Sequence, residues 1–360
     1  MTNWRPSAHY SSALLSDAAT LSQTSPSLAG LVLVLRESLA HPTGGMMSQP
    51  FRTRSARALR ARRAKLKRRL VEPLVDARVQ RHCNVLDGSE VSSSGKTARG
   101  PTVPTFWFDD DTNVGDILTR PLLTALLGWP VHRVSGHFPG PRMLAVGSIL
   151  SHAREGDVVW GSGLISDREV EGDGVRFLAV RGPLTRERIR GDVPEVYGDP
   201  AILLPSIYQA RSDLPRKAVG VVPHYLDHDL VRVNDPQVRT IDVRTRSWRR
   251  FVDQIAACEL VVSSSLHGII IAEAYGIPAV WLRASDRLKG GNFKFNDYYA
   301  ATDRDRQPVR WSGDLAGCLR DDLITHPPQF DQHLAEVLRQ FGRAVAAEHG
   351  LAPPADTSHA

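Results

Sequence analysis

Cysteine is nearly missing from this chain: Cys83, Cys258 and Cys318 are the only three among 360 residues. They are odd in number and far apart, so neither a disulfide framework nor a zinc spacing can be built from them, which favours a reducing cytoplasm. Long hydrophobic runs are missing too. No apolar stretch approaches the roughly 18 residues needed to span a bilayer. The longest near the start, residues 28–35, follows no basic region and precedes no small-residue cleavage site, which argues against a secretory signal. No group of His, Cys, Asp or Glu has metal-ligand spacing, so neither a metal nor a cofactor is expected. The most basic stretch, residues 52–70, contains no aromatic side chain, and so lacks the stacking platforms of a single-strand reader.

What is present is unevenly distributed. A formal net charge of +6 conceals 16 Lys+Arg against 6 Asp+Glu in residues 1–100 and 29 against 33 in the remainder. Residues 52–70 hold ten basic residues and no acid. The first 50 residues are rich in Ser, Ala and Thr without sustained periodicity, and residues 91–104 are rich in Ser, Gly, Thr and Pro like a linker. Residues 1–103 therefore read as a largely disordered basic extension. Such an arm can be merely solvated, can be a non-native leader, or can contact an anionic membrane surface at about 1 kcal/mol per basic residue. No specific nucleic acid is expected.

From residue 105 short apolar runs alternate with helical patterns, the signature of βαβ units and a parallel sheet. Strands are predicted at residues 106–108, 143–146, 157–160 and 177–180, with helices at 117–127 and 184–189. The pattern restarts with strands at 218–222, 239–243, 260–262 and 279–282 and a helix at 248–257. The class is α/β, with Rossmann-like domains at residues 104–213 and 214–328, a closing amphipathic helix from 329, and a frayed tail within 329–360. Ligands of open parallel sheets bind beyond the carboxyl ends of the strands, so the polar turns at those ends should line a cleft.

The most telling segment is Ser263-Ser264-Ser265-Leu266-His267-Gly268, which stops a strand and starts a helix. The first amides of a helix lack internal partners and carry the positive end of its dipole, so Ser264, Ser265 and Gly268 outline an anion site, to which His267 adds a titratable donor. Ser is also a preferred N-cap, and that duller role stays open. After the first strand, Asn113-x-Gly115-Asp116 combines a glycine that admits a ligand with a carboxylate that can cap a helix or act as a base. Arg181 stands at a strand end where its guanidinium can clamp a carboxylate or phosphate, and Lys289 or Lys294 can reach the same pocket from beyond the strand at 279–282.

In this order, Asn113-Val-Gly-Asp116, Val146-Gly-Ser148, Trp160-Gly-Ser-Gly163, Val180-Arg181-Gly-Pro-Leu-Thr-Arg186, Gly198-Asp199-Pro-Ala201, Val222-Pro-His-Tyr225, Ser264-Ser-Leu-His-Gly268 and Gly276-Ile-Pro278 resemble the polysaccharide pyruvyl transferases over residues 105–300. The resemblance implies a GT-B-like arrangement and transfer of a pyruvyl group from phosphoenolpyruvate to two sugar hydroxyls, forming a cyclic ketal. It associates Arg181, His267 and Lys294 with the donor. Where the family often has Tyr-Asp-Pro-Lys, this chain has Ser285-Asp286-Arg287-Leu288-Lys289, which leaves the choice of lysine open. His267 is expected to bind phosphate and supply a proton, and Asp116 or Asp199 to accept a hydroxyl proton. Asn113, Gly115 and Gly163 are expected to line the donor pocket. The acceptor would be a cell-surface polysaccharide or its precursor, free or lipid-linked, met in the cytoplasm or at the inner face of the membrane.

Two other classes compete. A GT-B glycosyltransferase using a nucleotide sugar would need an acidic ribose- and base-binding residue in the second half, and Glu273 is the candidate. A non-catalytic glycan- or anion-binding protein would need only the cationic pocket.

Overall fold

The computed structural model describes residues 65, 67–86, 99–108, 113–330 and 333–351. Most of the basic run 52–70, the segment before it and the tail after 351 lie outside those residues, and with them the expected disorder and membrane contact. The elements begin earlier than the sequence pattern suggests. Helix α1 (Glu72–Val79) leads into strands β1 (His82–Asn84) and β2 (Arg99–Thr105), which pair in parallel. The expectation of a linker is corrected for residues 99–104, which lie in β2, and that of an appendage for residues 72–79 and 82–84, which form α1 and β1. Pro101 and Pro104 cannot donate to a ladder, and proline in a strand argues for a linker. Yet the Val103 amide donates to Pro130 O, while the carbonyls of Thr102 and Thr105 accept from Val85 and Val134, so β2 pairs despite its two prolines. Asp76 of α1 fastens this start to the body by accepting from the amide and hydroxyl of Ser135 at 2.9 and 2.5 Å.

Helices α2 (Val114–Ile117) and α3 (Thr119–Leu127) divide the predicted helix, and Gly128 ends α3 in the left-handed conformation at φ 70°. Strands β3 (Val131–Arg133), β4 (Met143–Leu144) and β5 (Val158–Trp160) follow. A small pair, β6 (Val170–Glu171) and β8 (Ile189–Arg190), brackets β7 (Arg176–Ala179) and helix α4 (Pro183–Arg186). The first sheet runs β1-β2-β4-β5-β7, with β3 also on β2, and every pairing is parallel.

The second half contains β9 (Lys217–Val222), β10 (Val238–Thr240), helix α5 (Trp248–Ala256), β11 (Cys258–Ser263), helix α6 (Leu266–Ala274), β12 (Ala279–Arg283), helix α7 (Phe293–Ala300) and β13 (Val309–Arg310). Its sheet runs β10-β9-β11-β12-β13, again all parallel. Helix α8 (His333–His349) then returns to pack on α3 and β7, and its Leu334 carbonyl accepts from Trp160 Nε1 at 2.8 Å.

One apolar cluster runs through both halves, from Leu122 and Leu126 of α3 through Leu203 and Ile270 to Phe251 and Phe295. Because that core is continuous, the strand ends of the two sheets are held against each other. A separate buried brace, Arg142, donates to the Asp157 carboxylate at 3.2 and 2.5 Å and to the Gly136 and His152 carbonyls. Removing one partner strands the other charge out of water. Arg142→Ala is expected to cost about 3–5 kcal/mol in urea unfolding, with Asp157 left buried.

Candidate functional site

The site grows from the way the two halves are sewn together. In α7, Asp297 is fully buried, with one oxygen accepting from the Thr185 amide at 2.8 Å and the other from Thr185 Oγ1 at 2.7 Å and Arg181 Nε at 2.9 Å. Gly182 admits the α7 backbone, since a methyl there would overlap the Asp297 carbonyl. The Val-Arg-Gly-Pro-Leu-Thr segment is thus a socket for one carboxylate. Lys294 stands three residues before Asp297, on the same face of a helix, so seating Asp297 also seats Lys294.

Arg181 is fully buried, and its other bonds go to Ser148 Oγ and to the Leu164 carbonyl, each at 2.6 Å. A methyl at Gly163 would overlap its guanidinium. The glycine turns after β4 and β5 are therefore explained as the walls of the arginine's slot. Arg181 faces Asp297, Ser148 and Leu164 rather than forming an open clamp, and it acts on the cleft through its charge and through Lys294. Burial, and next the Arg181 charge, lower the Lys294 ammonium to about 8, while Asp116 and Asp227 pull the other way.

From the opposite side comes the serine turn. Ser263 Oγ has the Val222 and Ser265 carbonyls within donating reach of its one proton, at 3.0 and 2.8 Å, and accepts from the Ser265 amide, and Ser264 Oγ accepts from the His224 amide at 2.8 Å. Ser265 occupies the N-cap position of α6 with φ −102° and ψ 128°, but its side chain makes no capping bond. Ser263, not Ser265, ties the turn, and Gly268 packs against Ser263 so closely that a methyl would collide with its hydroxyl. His267 therefore projects from the first turn of α6 and is 8% exposed. Its Nε2 lies 3.6 Å from Asp199 Oδ2, and neither atom has a hydrogen-bond partner. Asp199 Oδ1 meanwhile caps the 3-10 turn Pro200–Ser206 through the Ala201 amide at 3.0 Å.

Gly115 closes the ring's other side, where a methyl would overlap the imidazole. Asn113 caps α2 by accepting from the Gly115 amide, and the Val114 amide donates to Val243 O at 2.8 Å, which pins this turn to the second half. Asp116 is partly exposed. It stands beside Gly147, the glycine with φ 106° that turns the chain after β4, and its charge reaches Lys294.

The structure thus brings together Asn113, Gly115, Asp116, Gly163, Arg181, Asp199, Ser264, Ser265, His267, Gly268 and Lys294. Lys289 is exposed in the loop before α7. Glu273, the acidic residue proposed for a nucleotide, is spoken for: Arg304 grips both its oxygens at 2.8 Å and the Tyr298 hydroxyl donates at 2.6 Å, all in the interior.

Three residues beside this cluster were assigned no site role from the sequence, although one of them, His224, lies in the Val222-Pro-His-Tyr225 motif. His224, where the chain leaves β9, is 8% exposed, and its basicity is lowered to about 3, first by burial and then by Lys294 and His267. It is a neutral imidazole at any ordinary pH, and the Pro223-His224-Tyr225 turn at a strand end was the available signal. Asp227 is fully buried, accepts from Ser285 Oγ, and has its second oxygen unpartnered. Asp297, as above, had no signal beyond its distance from Lys294 in sequence. Among the described residues no group of three His, Cys, Asp or Glu side chains could hold a metal, and no helix is long and apolar enough to cross a membrane.

In this α/β protein with two parallel sheets, Lys294 and His267 both act on His224 beyond the strand ends, and Arg181 lies buried behind Lys294. The family model for polysaccharide pyruvyl transferase matches residues 174–286. That span includes Arg181, Asp199, His224 and His267. The chain is 31% identical over 205 residues to uncharacterized protein L143 of Acanthamoeba polyphaga mimivirus, covering 53% of this chain and 71% of that one. It is 30% identical over 218 residues to the succinoglycan biosynthesis protein ExoV of Rhizobium meliloti strain 1021, covering 54% of this chain and 63% of that one. No solved structure matches. Residues 174–286 thus belong to the polysaccharide pyruvyl transferase family.

Gly115→Ala is expected to displace the His267 ring and to destabilise the fold by about 1–3 kcal/mol, because the added methyl overlaps the imidazole in a buried site. Far-UV circular dichroism should stay near wild type while the melting temperature falls, which a thermal scan checks.

Proposed function

We propose that the protein transfers a pyruvyl group from phosphoenolpyruvate to two hydroxyls of a sugar in a polysaccharide or its precursor, leaving a cyclic ketal and inorganic phosphate. The observation that carries this reading is a half-buried lysine with lowered basicity that feels the buried Arg181 and in turn acts on His224, together with His267 in the first turn of α6. Phosphoenolpyruvate has a phosphate and a carboxylate on one small skeleton, so its pocket needs positive potential on more than one side. The family membership and the printed name of ExoV, a biosynthesis protein of succinoglycan, support a polysaccharide acceptor. In this reading the two parallel sheets form a GT-B-like pair of Rossmann-like domains.

The chemistry follows from the residue types. A proton added to the methylene carbon makes the adjacent carbon electrophilic. One sugar hydroxyl adds there and loses its proton, phosphate departs with the electrons of its carbon–oxygen bond, and the second hydroxyl adds and loses its proton in turn. Lys294 and the first turn of α6 hold the donor's anionic groups, with Arg181 setting the potential behind them. His267, oriented by Asp199, meets the phosphate and supplies the proton to carbon. Asp199 is enclosed behind His267, so Asp116, which is partly exposed, accepts the hydroxyl proton. His224 stays neutral and serves as a hydrogen-bonding wall. The nucleotide-sugar reading loses its acidic residue, since Glu273 is engaged with Arg304 and Tyr298.

His267→Ala is expected to lower phosphate release from phosphoenolpyruvate, with acceptor present, by about 10²–10⁴-fold. A near-normal rate would remove His267 from the mechanism, and no release by the unaltered protein with any sugar would favour a binding protein instead. The pH dependence has a definite sign. Lys294 is charged below about 8 and neutral above it, so kcat/KM for phosphoenolpyruvate should fall as pH rises through about 8. Lys294→Met should abolish that alkaline limb while lowering the plateau.

A further inference from the structure

One concavity, of about 730 Å³, is not used by the mechanism above. It sits between the halves, lined by Trp107, Arg120 of α3 and Arg133 of β3 on one side and by Arg246, Trp248 and Arg249 at the start of α5 on the other. Its size falls in the range of small-ligand sites, about 300–1,000 Å³. Four arginines and two tryptophans share this lining, and among the described residues no carboxylate contributes to it. Arg133 is anchored from behind, through Nε to the Trp107 carbonyl at 3.0 Å and through Nη2 to Glu72 at 3.1 Å. The Arg249 guanidinium lies 4.7 Å over the Trp248 ring.

The placement of these arginines is costly for a protein left alone. Helix α5 has no acidic residue in its first turn, where carboxylates complement the dipole, and carries Arg249 and Arg250 there instead. Positive side chains thus reinforce the positive end of a nine-residue helix. An anion bound between α3 and α5 would relieve that repulsion, and guanidinium forks suit phosphate and carboxylate geometry. An indole offers a flat apolar surface to the ring of a saccharide. The concavity also adjoins the proposed chemistry: Ile117 of α2 lines it, and the preceding residue, Asp116, faces Lys294. Helix α2 has four residues and so is only about 6 Å long.

We infer that this concavity is the acceptor site and that the acceptor is a saccharide carrying its own oxyanion, whose charged group the arginines hold while its hydroxyls reach over α2 to Asp116. The inference rests on the pyruvyl-transfer reading for the word acceptor, but binding is measurable without turnover. Two sources supply such an anion: the diphosphate of a carrier-linked sugar, or the carboxylate of a uronic acid.

Tryptophan fluorescence of the full chain, titrated with a short prenyl-diphosphate-linked disaccharide, a glucuronate-containing oligosaccharide and neutral lactose, tests it. At least one charged probe should bind about tenfold or more tighter than lactose, and that advantage should shrink with added salt. Which charged probe wins identifies the source. Arg120→Ala with Arg249→Ala, both exposed positions, should erase the preference while leaving the thermal shift given by phosphoenolpyruvate unchanged. The salt titration of the unaltered protein decides the same question without relying on the variant. Equal binding of charged and neutral probes, binding of none, or loss of the phosphoenolpyruvate shift in the double variant would each overturn the inference. Failure of the pyruvyl-transfer reading looks different: charged saccharides would still bind, while phosphoenolpyruvate would give neither a thermal shift nor phosphate.

Discussion

Asp297 accepts from Arg181 and twice from Thr185, all three side chains buried, and this contact joins a helix of the second half to a strand end of the first. Removing a partner from such a buried pair typically costs about 3–5 kcal/mol because a charge is stranded. The bond therefore does more than dock two halves. It sets a guanidinium deep behind the cleft, and it holds the α7 face from which Lys294 enters. With the arginine's charge compensated by Asp297 but still felt by Lys294, the ammonium sits near the middle of its titration at mildly alkaline pH.

The remaining contacts read as consequences of that docking. His267 is wedged between Gly115 of the first half and Asp199, so its ring orientation depends on the halves keeping their distance. The Val114–Val243 hydrogen bond fixes the same spacing from the other end. Helix α8 crosses back to the first half and takes the Trp160 indole N–H, which closes the chain over the junction. The glycines at 115, 163 and 182 share one purpose: each marks a place where a functional group of a neighbouring segment lies against bare backbone.

Much of the architecture was legible because buried parallel strands announce themselves as short apolar runs between helical patterns. Strands β5, β7, β9, β11 and β12 fall within a residue or two of their expected positions. What stayed hidden was β2, whose two prolines and glycine mimic a linker although it pairs in parallel with β1, β3 and β4, and with it the attachment of α1 and β1. Of the site, the residues at strand ends were readable, since helix termini and glycine turns have local signatures. Asp227 and Asp297 were not, because a lone aspartate in a loop or a helix looks solvated until the fold reveals what it faces. Ser265 illustrates the reverse error: its sequence position suggests a side-chain cap, but Ser263 takes the tying role by bonding back to β9. The role of Arg181 changed in kind, from a clamp open to the ligand to a buried source of potential, because its partners lie 116, 33 and 17 residues away in sequence.

In the proposed reading, function turns on one small dianion being received between Lys294, His267 and the first turn of α6. A crystal structure with phosphoenolpyruvate soaked in tests this most directly. The donor's phosphate or carboxylate should lie within hydrogen-bonding reach of Lys294 Nζ and of His267, with the Arg181–Asp297 pair intact behind it. Donor bound instead among Arg120, Arg246 and Arg249, with Lys294 untouched, would contradict that arrangement.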